Sequence, residues 1–286
     1  MIRITPEEVT VLSKYVADIT GIFLDQSKAY LLESRLGRLV EKFGFSSYNQ
    51  LYMKAKWKAG GSLEQEIIAA ITTNETSFFR DTVPFEMLKH KILGDLIDKR
   101  RSQSSGLFPT PIRIWSAACS TGQEVYSIAI VLKELLPDLN KFNIKILGTD
   151  ISGRVIAHAS YGQYNRFEID RGLSKERREK YFERNGNAWR IKDEIRAMAT
   201  FGKRNLMEPF ARLGKFDIIF CRNVAIYFTP EDRARLFYKI GEVLETDGYL
   251  IIGATESLVS VCPKFEPKRY LSSVFYQLNH SRGIET

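Results

Sequence analysis

The spacing of apolar residues divides the chain into a helical first part and a second part in which strands and helices alternate. Up to about residue 75 the apolar side chains recur at helical spacing, and no stretch has the two-residue period of a strand. Thr5, followed by Pro6 and two acids, is typical of a helix start. The pattern predicts four helices, over residues 5–21, 27–43, 47–58 and 63–71.

A polar stretch ends this helical part. Residues 72–80 carry turn-forming side chains, and we interpret them as a hinge. A further helix is predicted over residues 86–101, and a surface loop over 102–111. The pattern therefore divides the chain into a helical N-terminal domain (1–75), a hinge with its connecting helix (76–111) and a third domain (112–286).

From residue 112 onward the pattern is that of a parallel α/β sheet. A β-rich run at 112–115 enters a turn of small residues, 116–122, and the next helix carries its apolar residues on one side. Thr121 and Glu124 have the spacing of a capping box at the start of that helix. The order of elements predicts a doubly wound α/β sheet. Its further strands are predicted over 143–150, 199–202, 216–223 and 249–253, and 272–278 alternates like an edge strand.

One stretch, residues 161–196, does not fit this alternation. It is too long for a strand-to-helix connection and contains its own predicted helix, 174–184. Asn185-Gly186 between apolar runs then predicts a hairpin. We interpret the stretch as a small inserted subdomain, either functional or a structural cover over the sheet.

Composition narrows the class of protein but not its partner. The chain is 44% hydrophobic and 27% charged, as in ordinary soluble globular proteins, and neither a signal segment nor a long uncharged apolar run is present in it. Its three cysteines are too widely spaced for a disulfide framework or a zinc site. A net charge of +8 favours an acidic partner, whether nucleic acid, anionic lipid or protein. The second helix carries a basic row, Arg35, Arg38 and Lys42, which is either a solvated face or a contact for an acidic helix.

Candidate ligand-binding residues follow the ends of the predicted strands. In a parallel sheet, ligands bind over the carboxyl ends of the strands, which here carry the 116–122 loop, Asp150, residues 205–206 and residues 221–223. A carboxylate such as Asp150 suits the two hydroxyls of a ribose, although it could instead cap a helix. The loop lacks the three glycines of a dinucleotide fingerprint, so S-adenosylmethionine, which has no phosphate, suits it better than NAD.

Four stretches, 72–80, 115–124, 148–150 and 220–228, resemble in sequence and order the motifs of the CheR family, the chemotaxis receptor glutamate methyltransferases. The resemblance covers almost the whole chain. It implies a Rossmann-like class I SAM-dependent methyltransferase domain with an inserted small β-subdomain, preceded by an all-α domain. The implied reaction is methylation of receptor glutamates to glutamyl 5-methyl esters, with S-adenosylhomocysteine as the second product and no metal.

The resemblance also implies roles for individual residues. Asp150 would hold the ribose, Glu124 the methionine end and Asn205 with Leu206 the adenine, while Arg80 and Tyr227 would face the transferred methyl group. Alternatively, Glu124 only completes the capping box and Tyr227 only packs in the core. The implied cofactor-binding set is Asn74, Thr76, Arg80, Glu124, Asp150, Asn205, Leu206, Arg222 and Asn223.

For partners, the resemblance implies that Arg35, Arg38 and Lys42 face the cytoplasmic methylation helices of a receptor. The turn over 184–189 is shorter than in family members that bind a receptor's C-terminal pentapeptide, so we expect independence from that peptide. We expect a bacterial cytoplasmic enzyme, recruited to receptor arrays without inserting into the membrane. A nucleic-acid methyltransferase is disfavoured because 222–225 lacks the expected Pro-Pro-aromatic loop, and a non-catalytic adaptor because Arg80 and Tyr227 are both present.

Overall fold

The N-terminal part folds into a bundle whose helices are those that the periodicity predicts. The computed structural model describes residues 2–103, 109–136, 138–271 and 273–280. Thr5 forms the capping box of the first helix: its hydroxyl accepts a hydrogen bond from the Glu8 amide, while the Glu8 carboxylate accepts one from the Thr5 amide. The helices are α1 (Pro6–Thr20), α2 (Ala29–Lys42), α3 (Tyr48–Trp57) and α4 (Ser62–Ile71).

Helix α2 departs from its prediction at both ends. A 3-10 turn, Gln26–Lys28, precedes it, so the α-helix begins later than residue 27. Phe43, predicted to continue the apolar stripe of Leu32, Leu36 and Leu39, lies past the last turn and is 42% exposed. Val40 is buried instead, within the apolar cluster of the helical bundle.

The connecting helix is longer than predicted and contains a wider turn. It consists of α5 (Val83–Met87), a π-helical turn (Leu88–Ile92) and α6 (Leu93–Gln103). Pro84 lies in the first turn, where its missing amide hydrogen costs nothing. Residues 104–108 of the predicted surface loop lie outside the described residues, and Thr110 already belongs to the first strand.

The third domain contains the predicted alternation of strands and helices. No helix in the described ranges is both long and apolar enough to span a bilayer. The three cysteines are free, and all three are buried. The strands are β1 (Thr110–Ala117), β2 (Phe142–Asp150), β3 (Gln163–Asn165), β4 (Phe182–Asn185), β5 (Ala188–Ile191), β6 (Ala199–Lys203), β7 (Phe216–Cys221), β8 (Leu244–Ile252), β9 (Phe265–Tyr270) and β10 (Ser273–Leu278). The helices are α7 (Gln123–Leu135), α8 (Gly153–Tyr161), α9 (Arg166–Asp170), α10 (Lys175–Tyr181), α11 (Asp193–Arg196) and α12 (Pro230–Val243).

The main sheet has the order β6-β2-β1-β7-β8-β10-β9, and its first five strands are parallel. Strand β2 pairs with one edge of β1, and β7 pairs with the other edge. This arrangement leaves a crevice at the carboxyl end of β1, where open α/β sheets bind ligands. Residues from the two faces of the sheet contribute to separate apolar clusters.

The prediction that 272–278 forms the edge strand is wrong. Strand β10 pairs antiparallel with both β8 and β9, so it lies inside the sheet. The edge is β9, which the pattern did not reveal because charged residues and Pro267 interrupt its apolar positions. Proline is tolerated there because an edge strand leaves some amides unpaired.

The inserted subdomain is confirmed. Strands β3, β5 and β4 form a separate antiparallel sheet, and Gly186-Asn187 makes the turn of the predicted hairpin. The predicted helix 174–184 is shorter, ending at Tyr181, because residues 182–185 pair with β5.

Candidate active site

A cavity opens where the carboxyl ends of the strands meet the helical bundle. Four parts of the third domain line it: the loop after β1, the end of β2, residues 204–206 after β6 and residues 222–228 after β7. The hinge contributes residues 72–76 and Arg80, and the bundle contributes Thr20 and Ile22.

The cavity brings together the residues that the sequence singles out. Every residue that the CheR resemblance assigns to the cofactor lies in its wall, and so does Tyr227. These residues come from the hinge, from the first turn of α7 and from the carboxyl ends of three strands, β2, β6 and β7. They are Asn74, Thr76, Arg80, Glu124, Asp150, Asn205, Leu206, Arg222, Asn223 and Tyr227.

The capping box predicted for Thr121 and Glu124 is not formed. Helix α7 begins at Gln123, and Gly122 occupies the cap position with a φ of 92°. A side chain there would also meet the Ala159 Cβ atom at 2.8 Å, so glycine is needed. The Glu124 carboxylate turns into the cavity wall, where it accepts hydrogen bonds from Ser116 Oγ (2.7 Å) and Arg222 Nη1 (2.8 Å).

Arg222 joins the hinge to the first turn of α7. Its side chain is only 2% exposed and forms ion pairs with Glu124 (2.8 Å) and Asp81 (2.9 Å). It also donates to the Arg80 carbonyl at 2.8 Å, whereas its buried Nε has no partner in the described part of the chain. A buried guanidinium held by two carboxylates fixes three chain segments relative to one another.

Asp150 lies at the end of β2 with its carboxylate in the cavity wall. The carboxylate accepts hydrogen bonds from the amides of Ser120 and Ser152, each at 3.0 Å. Burial raises the pKa of Asp150 above its ordinary value, and the backbone amides partly oppose that rise. The helix-cap alternative is not borne out, since Ser152 is the N-cap residue of α8.

Two residues predicted to face the transferred group lie in the same cavity wall. Arg80 is half-buried and donates from Nη1 to the Glu75 carbonyl at 2.8 Å. Tyr227 ends a 3-10 turn and is 37% exposed, so it is not a core residue. Its carbonyl accepts from the Phe23 amide (2.8 Å), which connects this turn to the bundle.

Asn205 also connects the two domains. Its side-chain amide donates to the Ile19 carbonyl and accepts from the Met207 amide, both at 2.9 Å. Gly21, at the end of α1, packs so closely there that a Cβ atom would lie 2.6 Å from Met207 Sδ. The bundle therefore closes one side of the cavity, a contribution that the sequence pattern did not reveal.

Backbone strain is concentrated in the chain segments that contribute to the cavity. In the described residues, six non-glycine residues have a positive φ, and all but Leu271 belong to the hinge or to the loops after β1 and β7. Such conformations are unfavourable for residues with a Cβ atom and cluster at functional sites. The five are Phe79, Asp81, Ala118, Ser120 and Asn223.

The three basic residues of the row on α2 lie in different environments. Arg35 is half-buried and turned towards the hinge, donating to the Ile71 carbonyl and to Thr73 Oγ1. Lys42 pairs with Glu66 at 2.9 Å. Arg38 is exposed and lines a groove with Arg35 and with Arg154 of α8, which the sequence did not single out.

The polar groups of the cavity fit the donor set that S-adenosylmethionine would need. Asp150 offers carboxylate oxygens to ribose hydroxyls, and Glu124 offers a carboxylate near a cationic amine. Thr72 Oγ1, in the same wall, is buried and has no partner within the described ranges. A buried hydroxyl of this kind is expected to be satisfied by a ligand or by water.

Comparisons with known proteins match both parts of the chain to one family. Residues 7–72 match the family described as "CheR methyltransferase, all-alpha domain", and residues 74–271 match "CheR methyltransferase, SAM binding domain". The chain is 39% identical over 285 residues to a chemotaxis protein methyltransferase of Vibrio parahaemolyticus, covering 97% of this chain and 98% of that protein. It is 38% identical over 262 residues to chemotaxis protein methyltransferase Cher2 of Pseudomonas putida, covering 90% and 92% of the two chains.

Proposed function

Because the chain belongs to the CheR methyltransferase family, we propose that it is a protein-glutamate O-methyltransferase that converts glutamates of chemotaxis receptors to glutamyl 5-methyl esters. The observation that carries the proposal is the single cavity in which the family's cofactor residues meet Arg80 and Tyr227. Residues 1–75 form the receptor-facing domain, 76–111 the connection and 112–286 the cofactor-binding domain.

The proposed reaction requires little proton transfer by the residues of the protein. The acceptor glutamate has an ordinary pKa of about 4.3, so it is already an anion at neutral pH and needs no general base. When bound, S-adenosylmethionine supplies a methyl group on a positively charged sulfur. The residues of the cavity then have to hold both substrates in line, and orientation is worth roughly 7–11 kcal/mol in the best cases.

Individual residues divide this task. Asp150 accepts from the ribose hydroxyls, Glu124 holds the methionine end, and Asn205 with Leu206 lies along the adenine. Arg80 orients the acceptor carboxylate through its planar guanidinium, beside Tyr227. A very strong grip by Arg80 would stabilise the ground state as well, so its contribution is alignment and not activation.

Replacing Asp150 with asparagine is expected to weaken S-adenosylmethionine binding about 30-fold, because hydrogen bonds to a carboxylate contribute roughly 2 kcal/mol. In the wild type, affinity should also fall as the pH drops through the pKa of Asp150, and because burial raises that pKa, the fall should begin at a higher pH than for an ordinary aspartate. Calorimetry across pH measures both effects. Asp193→Asn, an exposed carboxylate in the inserted subdomain, is the control, and an unchanged affinity in Asp150→Asn would contradict the role.

The receptor-facing surface is the basic row Arg35, Arg38 and Lys42, extended by Arg154 across a groove of about 830 Å³. Arg38 and Arg154 are both exposed, which suits them to the acidic face of a receptor helix.

The Arg38→Glu variant is expected to raise KM for the receptor about tenfold, most strongly at low salt, since reversing an exposed interfacial charge turns attraction into repulsion. Its affinity for S-adenosylmethionine should not change. Methylation rates over a range of receptor concentrations provide the measurement, with Lys58→Glu at the end of α3 as the control. Equal receptor KM values for the two variants would argue against this surface.

Transfer of radiolabelled methyl groups tests the function as a whole. Receptor-enriched membranes are expected to become labelled at glutamates and nucleic acid is not, because the proposed acceptor is a carboxylate, which nucleic acid lacks. The enzyme would act in the bacterial cytoplasm, at receptor arrays. Receptors lacking their C-terminal pentapeptide should be labelled equally well, since only Gly186-Asn187 separates β4 from β5. Labelled nucleic acid would favour the rival methyltransferase activity, and cofactor binding without transfer would favour an adaptor.

A further inference from the structure

The inserted subdomain reaches the cavity through one buried tyrosine. Tyr164, on β3, is fully buried, and its hydroxyl donates to the Thr121 carbonyl at 2.8 Å. Thr121 belongs to the loop after β1, whose residues Ala118, Cys119 and Ser120 line the cavity. Burial raises the pKa of Tyr164, so the hydroxyl keeps its proton and remains a donor.

The same tyrosine ring also packs against the hinge. Tyr164 packs edge-on against Phe78, with ring centroids 5.0 Å apart, and Phe182 of β4 packs against Phe78 at 5.4 Å. Phe78 lies between Thr76 and Arg80, which both line the cavity. The subdomain and the hinge are in such close contact that a Cβ atom on Gly172 would lie 2.0 Å from the Phe78 carbonyl oxygen.

A second contact holds the hinge to the subdomain. Arg171 pairs with Glu75 at 2.6 Å, and this pair lowers the pKa of the Glu75 carboxyl. Ser120 links the loop after β1 directly to the hinge, since its hydroxyl donates to the Asn74 carbonyl at 3.1 Å. The loop after β1 and the hinge are thus joined to each other and to the subdomain, with Tyr164 in contact with both.

We propose that Tyr164 is a positioning residue for cofactor binding, through which the inserted subdomain holds the loop after β1 and the hinge at their cavity spacing. The proposal rests on the proposed function, because it concerns the site for S-adenosylmethionine. Tyr164 touches no reacting atom; it acts on Thr121 through a hydrogen bond and on Phe78 through packing. Both contacts exist before any receptor arrives, so they govern cofactor affinity and not the chemical step.

The test compares Tyr164→Phe with Tyr126→Phe. Both tyrosines are buried, and both donate to a backbone carbonyl, Tyr164 at 2.8 Å and Tyr126 at 2.7 Å. The Tyr126 hydroxyl bonds to Ala159, in α8, which does not line the cavity. The two rings pack against each other, with centroids 6.3 Å apart. The two substitutions therefore remove equivalent hydrogen bonds from one buried cluster, one to the loop that lines the cavity and one to a helix that does not line it.

Calorimetry with S-adenosylmethionine, in the absence of receptor, is the decisive measurement. Tyr164→Phe is expected to raise Kd and the cofactor KM about fivefold, the equivalent of one lost hydrogen bond, with kcat at saturating cofactor unchanged. Tyr126→Phe should leave Kd unchanged, although the two variants should lower Tm by similar amounts. Equal Kd values for the two variants would overturn the proposal, whereas a wild-type protein that did not bind the cofactor would overturn the proposed function itself.

Discussion

The Arg80→Ala variant is expected to lose methyl transfer by at least about a hundredfold in kcat/KM, the cost of a misplaced reacting group. Arg80 is half-buried in the cavity wall, and Nη1 donates to the Glu75 carbonyl (2.8 Å), which holds the guanidinium in the hinge. Its remaining N–H groups form a planar fork that matches a carboxylate. Without it the acceptor glutamate would enter the cavity unaligned.

The assay is single-turnover transfer to receptor membranes at saturating cofactor, with Tm as a check on folding. Arg80→Lys is the matched variant: it keeps the charge but loses the fork, and it should retain only a small part of the activity. Tm should change little because the side chain is half-exposed. Full turnover by Arg80→Ala would remove Arg80 from the mechanism.

The Arg222→Met variant is expected to lower the free energy of unfolding by about 3 kcal/mol, because removing one partner of a buried pair leaves an uncompensated charge. That charge is Glu124, whose side chain is 14% exposed. Asp81 and the Arg80 carbonyl also lose their donor, so the hinge is released from Glu124 and the first turn of α7. Cofactor binding should weaken together with stability.

Urea unfolding measures the loss, and a second substitution identifies its cause. Glu124→Gln in the Arg222→Met background removes the unpaired charge, so the double variant should recover part of the lost stability, which a double-mutant cycle quantifies. If Arg222→Met cost less than about 1 kcal/mol, within the range of exposed ion pairs, the buried pair would not be what holds these segments together.

Local signals predicted most helix positions and missed features that depend on packing. Thr5 and Thr229 cap their helices as their sequences indicate, because a cap is satisfied within one turn of the chain. Thr121 has the same local signal, yet Gly122 takes the cap position in a left-handed conformation next to Ala159. A contact between α7 and α8 decided that helix end.

The same distinction explains the errors at strands and on the basic helix. Strand β9 has an interrupted apolar pattern and forms because β10 pairs with it, which no local window reveals. Arg35 has the helical spacing of an exposed row, but the approach of the hinge to α2 turns it inward. Period alone distinguishes one face of a helix from another and does not say which neighbour covers each face.

The sequence by itself determined that Asp150, Asn205 and Arg222 would meet, because each follows a parallel strand and such strands present their carboxyl ends at one edge. Only the tertiary structure decided how that edge becomes an enclosed site. The bundle closes one side through Asn205, Arg222 holds the hinge against α7, and Tyr164 holds it against the loop after β1. These contacts join residues far apart in the chain, and their geometry depends on how whole domains pack.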